Sequence, residues 1–289
     1  MSNPLGEIFG FLPLAQSERA MLHREHSLCP FNNKSPNCTK DKIDNPIGVC
    51  SVTTQQRGHV ITCPYRFRQD WKILYKAAEL FFPKGSKWTA IPEVRLTDAD
   101  GQSAGNIDFV LVQYDSEGSI VDFGGIEVQA VYISGNVRKP FEKYMKTPGE
   151  VLDWTKNSNY PSPDFLSSSK KRLVPQLLSK GSIFDAWGKH TAIVLDEPFF
   201  STLPQLDDLA TEQSRLHWLV FKLSESENAD QLDLVHVRTL NTEYQAAMSS
   251  FTAPRAGDIG EFVKKLQGKF DSMVSQSVSP TTQMPQIEL

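Results

Sequence analysis

Residues 105–133, GNIDFVLVQYDSEGSIVDFGGIEVQAVYI, carry two acids and an amide at a spacing suited to holding a hard cation. Alternation in the first half sets Asp108, Val110, Val112 and Tyr114 on one face of a strand, with Ile107, Phe109 and Leu111 on the other. Asp115-Ser116-Glu117-Gly118 has the chemistry of a hairpin turn, so the apolar run Ile120 to Ile133 reads as the antiparallel partner. Within it Glu127 and Gln129 are two positions apart and share a face, while Ile126 and Val128 point into packing. Asp108, Glu127 and Gln129 then meet at one sheet edge, where carboxylate oxygens can bind a divalent cation and leave positions open for water and a phosphate oxygen. The bland alternative is a pair of solvated strand acids. Against it stands the placing of Asn106, Asp108, Glu127 and Gln129 inside apolar strands, where polar groups without partners cost free energy.

A second constellation lies upstream. All four cysteines, Cys29, Cys38, Cys50 and Cys63, fall in the first quarter of the chain, with 8, 11 and 12 residues between them and no CxxC knuckle. In a secreted chain they would suggest two disulfides. The apolar stretch Ile8 to Leu14 is short, lacks a basic flank and is broken by Pro13, so it does not read as an export signal. Clustered thiols then point to a structural zinc or iron site, with free thiols as the other reading. NNKSPN, DNPIG and TQQRGH between the cysteines are turn formers, which suggests loops without a core of their own, folded by a metal.

The elements that must position these residues follow from periodicity. Ser17 is an N-cap for a helix to Leu28, and Asp70 to Phe82 is a helix with Trp71, Leu74, Ala78 and Phe81 on one face, closed by Pro83 and Gly85. Trp88 to Leu96 is the first strand of a central sheet and contains Glu93, which antiparallel pairing can bring to Asp108 as a third carboxylate. Asn136 to Lys146 has helical tendency with Pro140 in the first turn, and Thr147 to Ser169 reads as a long surface excursion able to enter a groove. Lys170-Lys171-Arg172 opens an amphipathic segment to Leu178, and His190 to Leu195 is a buried strand. Leu216–Leu223 and Leu232–Val237 read as paired strands with His217 and His236 as core histidines, and Ile259–Val274 as an amphipathic helix. The expected divisions are 1–69 with the cysteines, 70–198 as the core, 199–275 completing the fold or a dimer contact, and a disordered tail over 276–289.

An Asp on one strand and Glu-x-Gln on the next resembles the PD-(D/E)xK nuclease site, with Gln129 where that pattern has lysine. The fold class expected is accordingly α/β (α+β), a mixed central sheet flanked by helices. Taken with the four cysteines, Glu93, GNIDFVLV, GGIEVQAVYI and KKRLVPQLLSKGSIFDAWGKHTAIVL (170–195), the chain resembles the NotI-type type II restriction endonucleases over most of Cys29 to Leu195. The resemblance implies cleavage of double-stranded DNA at a GC-rich palindrome, with Glu93, Asp108, Glu127 and Gln129 as the catalytic set. Asp108 and Glu127 would hold Mg²⁺, and the four cysteines a structural iron or zinc. It also implies a homodimer for the two-fold symmetric target and a cognate methyltransferase to protect host DNA.

Composition agrees with an ordinary globular chain: 39% hydrophobic residues and a net charge of −4. No apolar run reaches membrane-spanning length, so no membrane partner is expected and the cytoplasm is the default compartment. The acidic balance does not itself advertise nucleic acid, but Arg57, Arg66, Arg68, Lys72, Lys76, Lys84 and Lys87 fall in one region as a candidate basic face. Two other classes fit the same features: a non-catalytic DNA-binding protein built on a cysteine metal module, and a repair nuclease of the same fold.

Overall fold

Six strands rich in β-branched and aromatic residues make the central sheet, and the order in which they pair decides where the acids come to lie. The computed structural model describes residues 4–42, 44–150, 161–227, 229–252 and 256–275. Near the start of the chain β1 (Leu5–Ile8), β2 (Val49–Thr54) and β3 (Gly58–Ile61) form a small antiparallel sheet in the order β1-β2-β3. Then follow β4 (Trp88–Thr97), β5 (Ser103–Tyr114) and β6 (Ile120–Val128) as an antiparallel meander. A two-stranded ribbon, β7 (Tyr132–Ser134) with β8 (Ser162–Asp164), precedes β9 (His190–Asp196), β10 (Leu216–Glu225) and β11 (Leu232–Thr242). The large sheet runs β11-β10-β9-β6-β5-β4. It is mixed: β9 lies parallel to both β6 and β10, and the remaining pairs are antiparallel.

Helices cover both faces. After α1 (Glu18–Glu25), capped by the Ser17 side chain, α2 (Lys72–Phe81) buries Leu74, Ala77, Ala78 and Phe81 against Phe109, Leu111, Ile126, Val194 and Leu219. On the opposite face α3 (Arg138–Lys146), a continuous helical run over 165–186 (α4) and α5 (Tyr244–Thr252) pack Tyr144, Leu173, Leu177, Tyr244 and Met248 with Ile193, Leu195 and Trp218. Gly124 and Gly125 permit this double covering. A Cβ on Gly124 would lie 2.4 Å from the Phe81 ring, and one on Gly125 would lie 2.9 Å from the Phe184 ring. Residues 1–251 form one unit and 252–289 another. The second contains α6 (Ile259–Ser275), whose Ile259, Phe262, Val263, Leu266 and Phe270 make an exposed apolar stripe. Among the described residues no helix is long and apolar enough to cross a membrane.

Several expectations are corrected. The strand expected to Ile133 leaves the sheet after Val128, and Tyr132–Ser134 pairs with Ser162–Asp164 instead. Part of the expected surface excursion is therefore β8 and the start of α4, while residues 151–160 lie outside the described residues, as does the tail over 276–289. Ile107 does not share a face with Phe109 and Leu111. It packs with Val110 and Val112, because the regular β5–β6 pairing ends at Phe109↔Ile126 and the strands diverge below it. The cysteine region is not loops alone: Cys50 lies within β2, and Val49, Val52 and Val60 share the core of Trp218.

Candidate active site

The divergence of β5 and β6 is where the acids sit. With the backbone ladder finished at Phe109↔Ile126, the Val128 N–H finds its acceptor in the Asp108 side chain, at 2.7 Å to Oδ2. Glu127 next to it is 5% exposed. The expected convergence of Asp108 and Glu127 is thus present, and each feels the other. Burial raises the carboxyl pKa of both, most at Glu127, which is pushed up to about 7 by burial and then by the charge of Asp108. Gln129, also buried, follows on: its N–H donates to the Val194 carbonyl at 2.8 Å, extending the parallel pairing, and its Nε2 donates to the Ala130 carbonyl at 3.0 Å. Ile126, Val128 and Ala130 face the α2 core, as alternation requires.

Glu93 falls between the pairs Pro92↔Phe109 and Val94↔Ile107, which sets it opposite Asp108. It holds a φ of 56° in mid-strand, a left-handed conformation unusual for a residue with a side chain. Its carboxylate is 51% exposed and accepts from Lys34 Nζ at 2.7 Å, a contact that holds its pKa below the usual carboxylate value. Lys34 belongs to the loop between Cys29 and Cys38, and its neighbour Asn33 accepts from Arg68 at 2.7 Å. The Arg68 guanidinium stacks on Tyr65 and Phe109, 4.0 and 5.2 Å from their ring centres, and its charge favours the ionised forms of Asp108 and Glu93.

The expected basic face is only partly realised. Arg66 is fully buried and bonded to Glu7, Arg57 donates to the Pro198 carbonyl and to Ser201, and Lys72 donates to the Leu234 carbonyl. Arg66 is thereby committed to the fold, because a buried guanidinium needs acceptors that only the protein supplies, while Arg57 and Lys72, which keep contact with solvent, each have protein acceptors already. A cavity between α2 and β4 is walled by Trp71, Tyr75, Trp88 and Phe109, and the carboxylates are not among its walls.

Sequence reasoning passed over Lys180. From α4 its Nζ donates to Glu127 Oε2 at 2.7 Å and to the Asn106 carbonyl at 2.7 Å, with the residue 6% exposed. Gly105, at a φ of +103°, lies under the lysine stem. The signal was in the sequence: Leu173, Leu177 and Phe184 trace the apolar stripe of α4, and Lys180, three after Leu177 and four before Phe184, stands on it. Glu127 Oε1 is buried without any hydrogen-bond partner. A buried carboxylate oxygen left bare beside a second carboxylate suits a cation, and the all-oxygen donor set suits a hard one.

The four cysteines are unbonded to one another, and burial raises the pKa of Cys29, Cys38 and Cys50, that of Cys29 to about 11. They lie within range of one another's charge, and the Lys40 ammonium favours the thiolate of Cys38. Clustered thiols that resist ionisation alone are the donor type a thiophilic ion stabilises as thiolates. As they stand the side chains are not drawn into a ligand set: among the described residues no group of three or more His, Cys, Asp or Glu is arranged to hold a metal ion. His217, as expected, is a core histidine, fully buried between His190 and Asn241 with its pKa lowered to about 4, chiefly by burial.

The family model described as restriction endonuclease NotI matches residues 15–234. That span includes the four cysteines, Glu93, Asp108, Glu127, Gln129 and Lys180, and ends before α6. No curated protein matches the chain.

Proposed function

The chain belongs to the NotI restriction endonuclease family, and from that premise we propose that it is a Mg²⁺-dependent type II enzyme with a PD-(D/E)xK-like site, hydrolysing double-stranded DNA at a GC-rich palindrome. Membership implies sequence-specific cleavage of DNA; the metal, the target and the residue roles are our reading. One observation carries it: the buried, partnerless Oε1 of Glu127 beside Asp108 at the point where two strands part. A structure that only needed to be stable would not strip water from two adjoining acids and leave one oxygen bare.

In this reading Asp108 and Glu127 hold the Mg²⁺, which when bound would polarise the scissile phosphate and lower the pKa of a water. Asp108 is fixed by the Val128 N–H, so its orientation is set before any ligand arrives. Gln129, held by its backbone to β9, would turn its amide from the Ala130 carbonyl to orient the attacking water. Glu93 is an outer acid at the rim, opposite Asp108, and Arg68, stacked and already near the carboxylates, contacts a DNA phosphate. Drawn together, Cys29, Cys38, Cys50 and Cys63 would hold a structural iron or zinc. A palindromic target requires a homodimer, and self-protection requires a cognate methyltransferase acting on the same cytoplasmic DNA.

The deciding experiment is incubation of the purified chain with undamaged phage DNA, with and without Mg²⁺, beside Asp108→Ala. Discrete fragments that require both metal and Asp108 are expected. Intact DNA in every lane refutes the reading, and fragments only from damaged or branched DNA would make the protein a repair enzyme.

A further inference from the structure

The strand that carries Glu127 brings no cation to the site. Position 129, two residues on, is a glutamine, and its amide is turned to the Ala130 carbonyl. A cation arrives from the opposite side. Lys180 lies in Leu177–Gly181, a stretch of α4 wound wider than an ordinary α-helix, the kind of local irregularity that re-aims side chains at functional sites. Its stem passes over Gly105 between the apolar walls of Ile107, Leu177, Phe184 and Ile193. Two of the three ammonium N–H groups are committed, one to Glu127 Oε2 and one to the Asn106 carbonyl.

A lysine placed only to neutralise Glu127 would be expected to occupy the acid fully, as Arg66 does Glu7. Here one carboxylate oxygen stays bare and one N–H stays over. Both groups are incomplete in the same small space. Fixing the ammonium on Asn106 of β5 as well as on Glu127 of β6 holds it at the point where those two strands part.

We propose that Lys180 supplies the cleavage site with the positive charge that residue 129 lacks, from helix α4 rather than from strand β6, and that its third N–H meets the attacking water or a scissile phosphate oxygen. The inference rests on the nuclease reading above. In the hydrolysis a water oxygen bonds to phosphorus as the bond from phosphorus to the leaving ester oxygen breaks. The water gives one proton to solvent, and the leaving oxygen takes one up. Lys180 keeps its proton throughout and acts by its charge and by donating to the attacking water or to an oxygen on the pentacoordinate phosphorus.

Four full-length proteins test this on duplex phage DNA: wild type, Asp108→Ala, Lys180→Met, and the double variant Gln129→Lys/Lys180→Met, which returns an ammonium from the strand. Expected is a loss of about 10²-fold or more in single-turnover cleavage for Lys180→Met, the scale of removing one preorganised donor. Duplex binding in Ca²⁺ should stay within about threefold, because the proposed contact of the third N–H strengthens only in the transition state; Mn²⁺ binding, followed by electron paramagnetic resonance, is read beside it because Lys180 also bonds Glu127 in the resting site. The double variant should regain at least about tenfold of the lost rate, the worth of roughly 1.4 kcal/mol.

Cleavage by Lys180→Met within about threefold of wild type overturns the proposal, a change too small for a lost transition-state contact. So does tighter Mn²⁺ binding with an unchanged rate, which would make Lys180 a plug for Glu127, and so does a double variant no faster than Lys180→Met. Should Lys180→Met fail to fold, Lys180→Gln, which keeps a donor for Asn106 and Glu127, carries the same comparison. If the wild type itself does not cut, the nuclease reading has failed and Lys180 with it. If wild type cuts, Asp108→Ala does not, and Lys180→Met does, only the lysine assignment is lost.

Discussion

Among the described residues two glutamates are buried beside a cation, and they are treated in opposite ways. Glu7 and Arg66 are fully enclosed: both carboxylate oxygens lie 2.9 Å from Arg66 Nε, Ser51 donates to Oε2, and the rest of the guanidinium reaches Gln69 and the Leu232 carbonyl. Neither oxygen of Glu7 is left bare, and the network ties β1 to β11 across the chain. Glu127 and Lys180 are nearly as buried, yet each has bonding capacity unspent. A completed network fixes a fold, whereas an incomplete one in a dry site keeps a place for something that comes and goes.

The sharpest way to break the comparison is the same substitution at both glutamates. Glu127→Gln should lower cleavage by about 10³-fold or more, some 4 kcal/mol of barrier. Its stability should stay within about 1 kcal/mol of wild type, because the amide still accepts from Lys180 and the Asp108 charge remains beside the ammonium. Glu7→Gln should do the reverse. It strips a fully enclosed guanidinium of its only anion, which costs about 3–5 kcal/mol in urea unfolding. Cleavage by the fraction that remains folded should be unchanged. If Glu127→Gln unfolds the protein and still cuts, the two pairs are alike and the distinction fails.

The pH dependence of stability sharpens the point further. Burial, helped by the Asp108 charge, pushes the Glu127 carboxyl up to about 7 from its ordinary 4.5, and burial likewise raises Asp196 to about 7 from 3.8. Between those limits the native state binds more protons than the unfolded one, so stability falls as pH rises from about 4 to 7. The two groups together should contribute a loss of a few kcal/mol across that window, after discount for relaxation around buried charges. Glu127→Gln should flatten part of the slope and Asp196→Asn the other part. A wild-type stability that rises steadily over this range would contradict both shifts.

Much of this was legible before the structure, and the reasons for the misses are physical. Period-two alternation with a Gly-bearing turn pointed to β5 and β6, and with them to the meeting of Asp108, Glu127 and the opposing Glu93, although each hairpin carries beside its turn a register shift that the alternation does not show. The end of β6 was not legible. Ile126 to Ile133 continues its alternation with no turn former to mark a stop, so nothing in it shows that β6 ends at Val128, where β9, about sixty residues on, pairs with it in parallel. Arg66 was read with its basic neighbours because the sequence does not show that Glu7, 59 positions away, would enclose it. Lys180 lies two residues beyond Leu178, where the amphipathic segment was expected to end, and only the continuation of α4 to residue 186 carries it over Glu127.

The smallest expected effect concerns the seam between the cysteine region and the catalytic edge. Lys34 and Asn33, in the loop between Cys29 and Cys38, hold Glu93 and Arg68 respectively. The Lys34–Glu93 pair is half-exposed, so solvent screens it, and Lys34→Ala should leave the melting temperature within about 1–2 °C of wild type. Its consequence lies in geometry. Releasing Glu93 from Lys34 frees an acid opposite Asp108, and cleavage should fall by only about two- to fivefold, as for a rim charge that orients rather than binds. If the thiols do hold an ion, chelation should loosen the same loop and reproduce that loss in wild type, and it should add nothing further in Lys34→Ala. Chelator effects that add in full to the substitution would mean that the cysteine region supports the fold without reaching the site through Lys34.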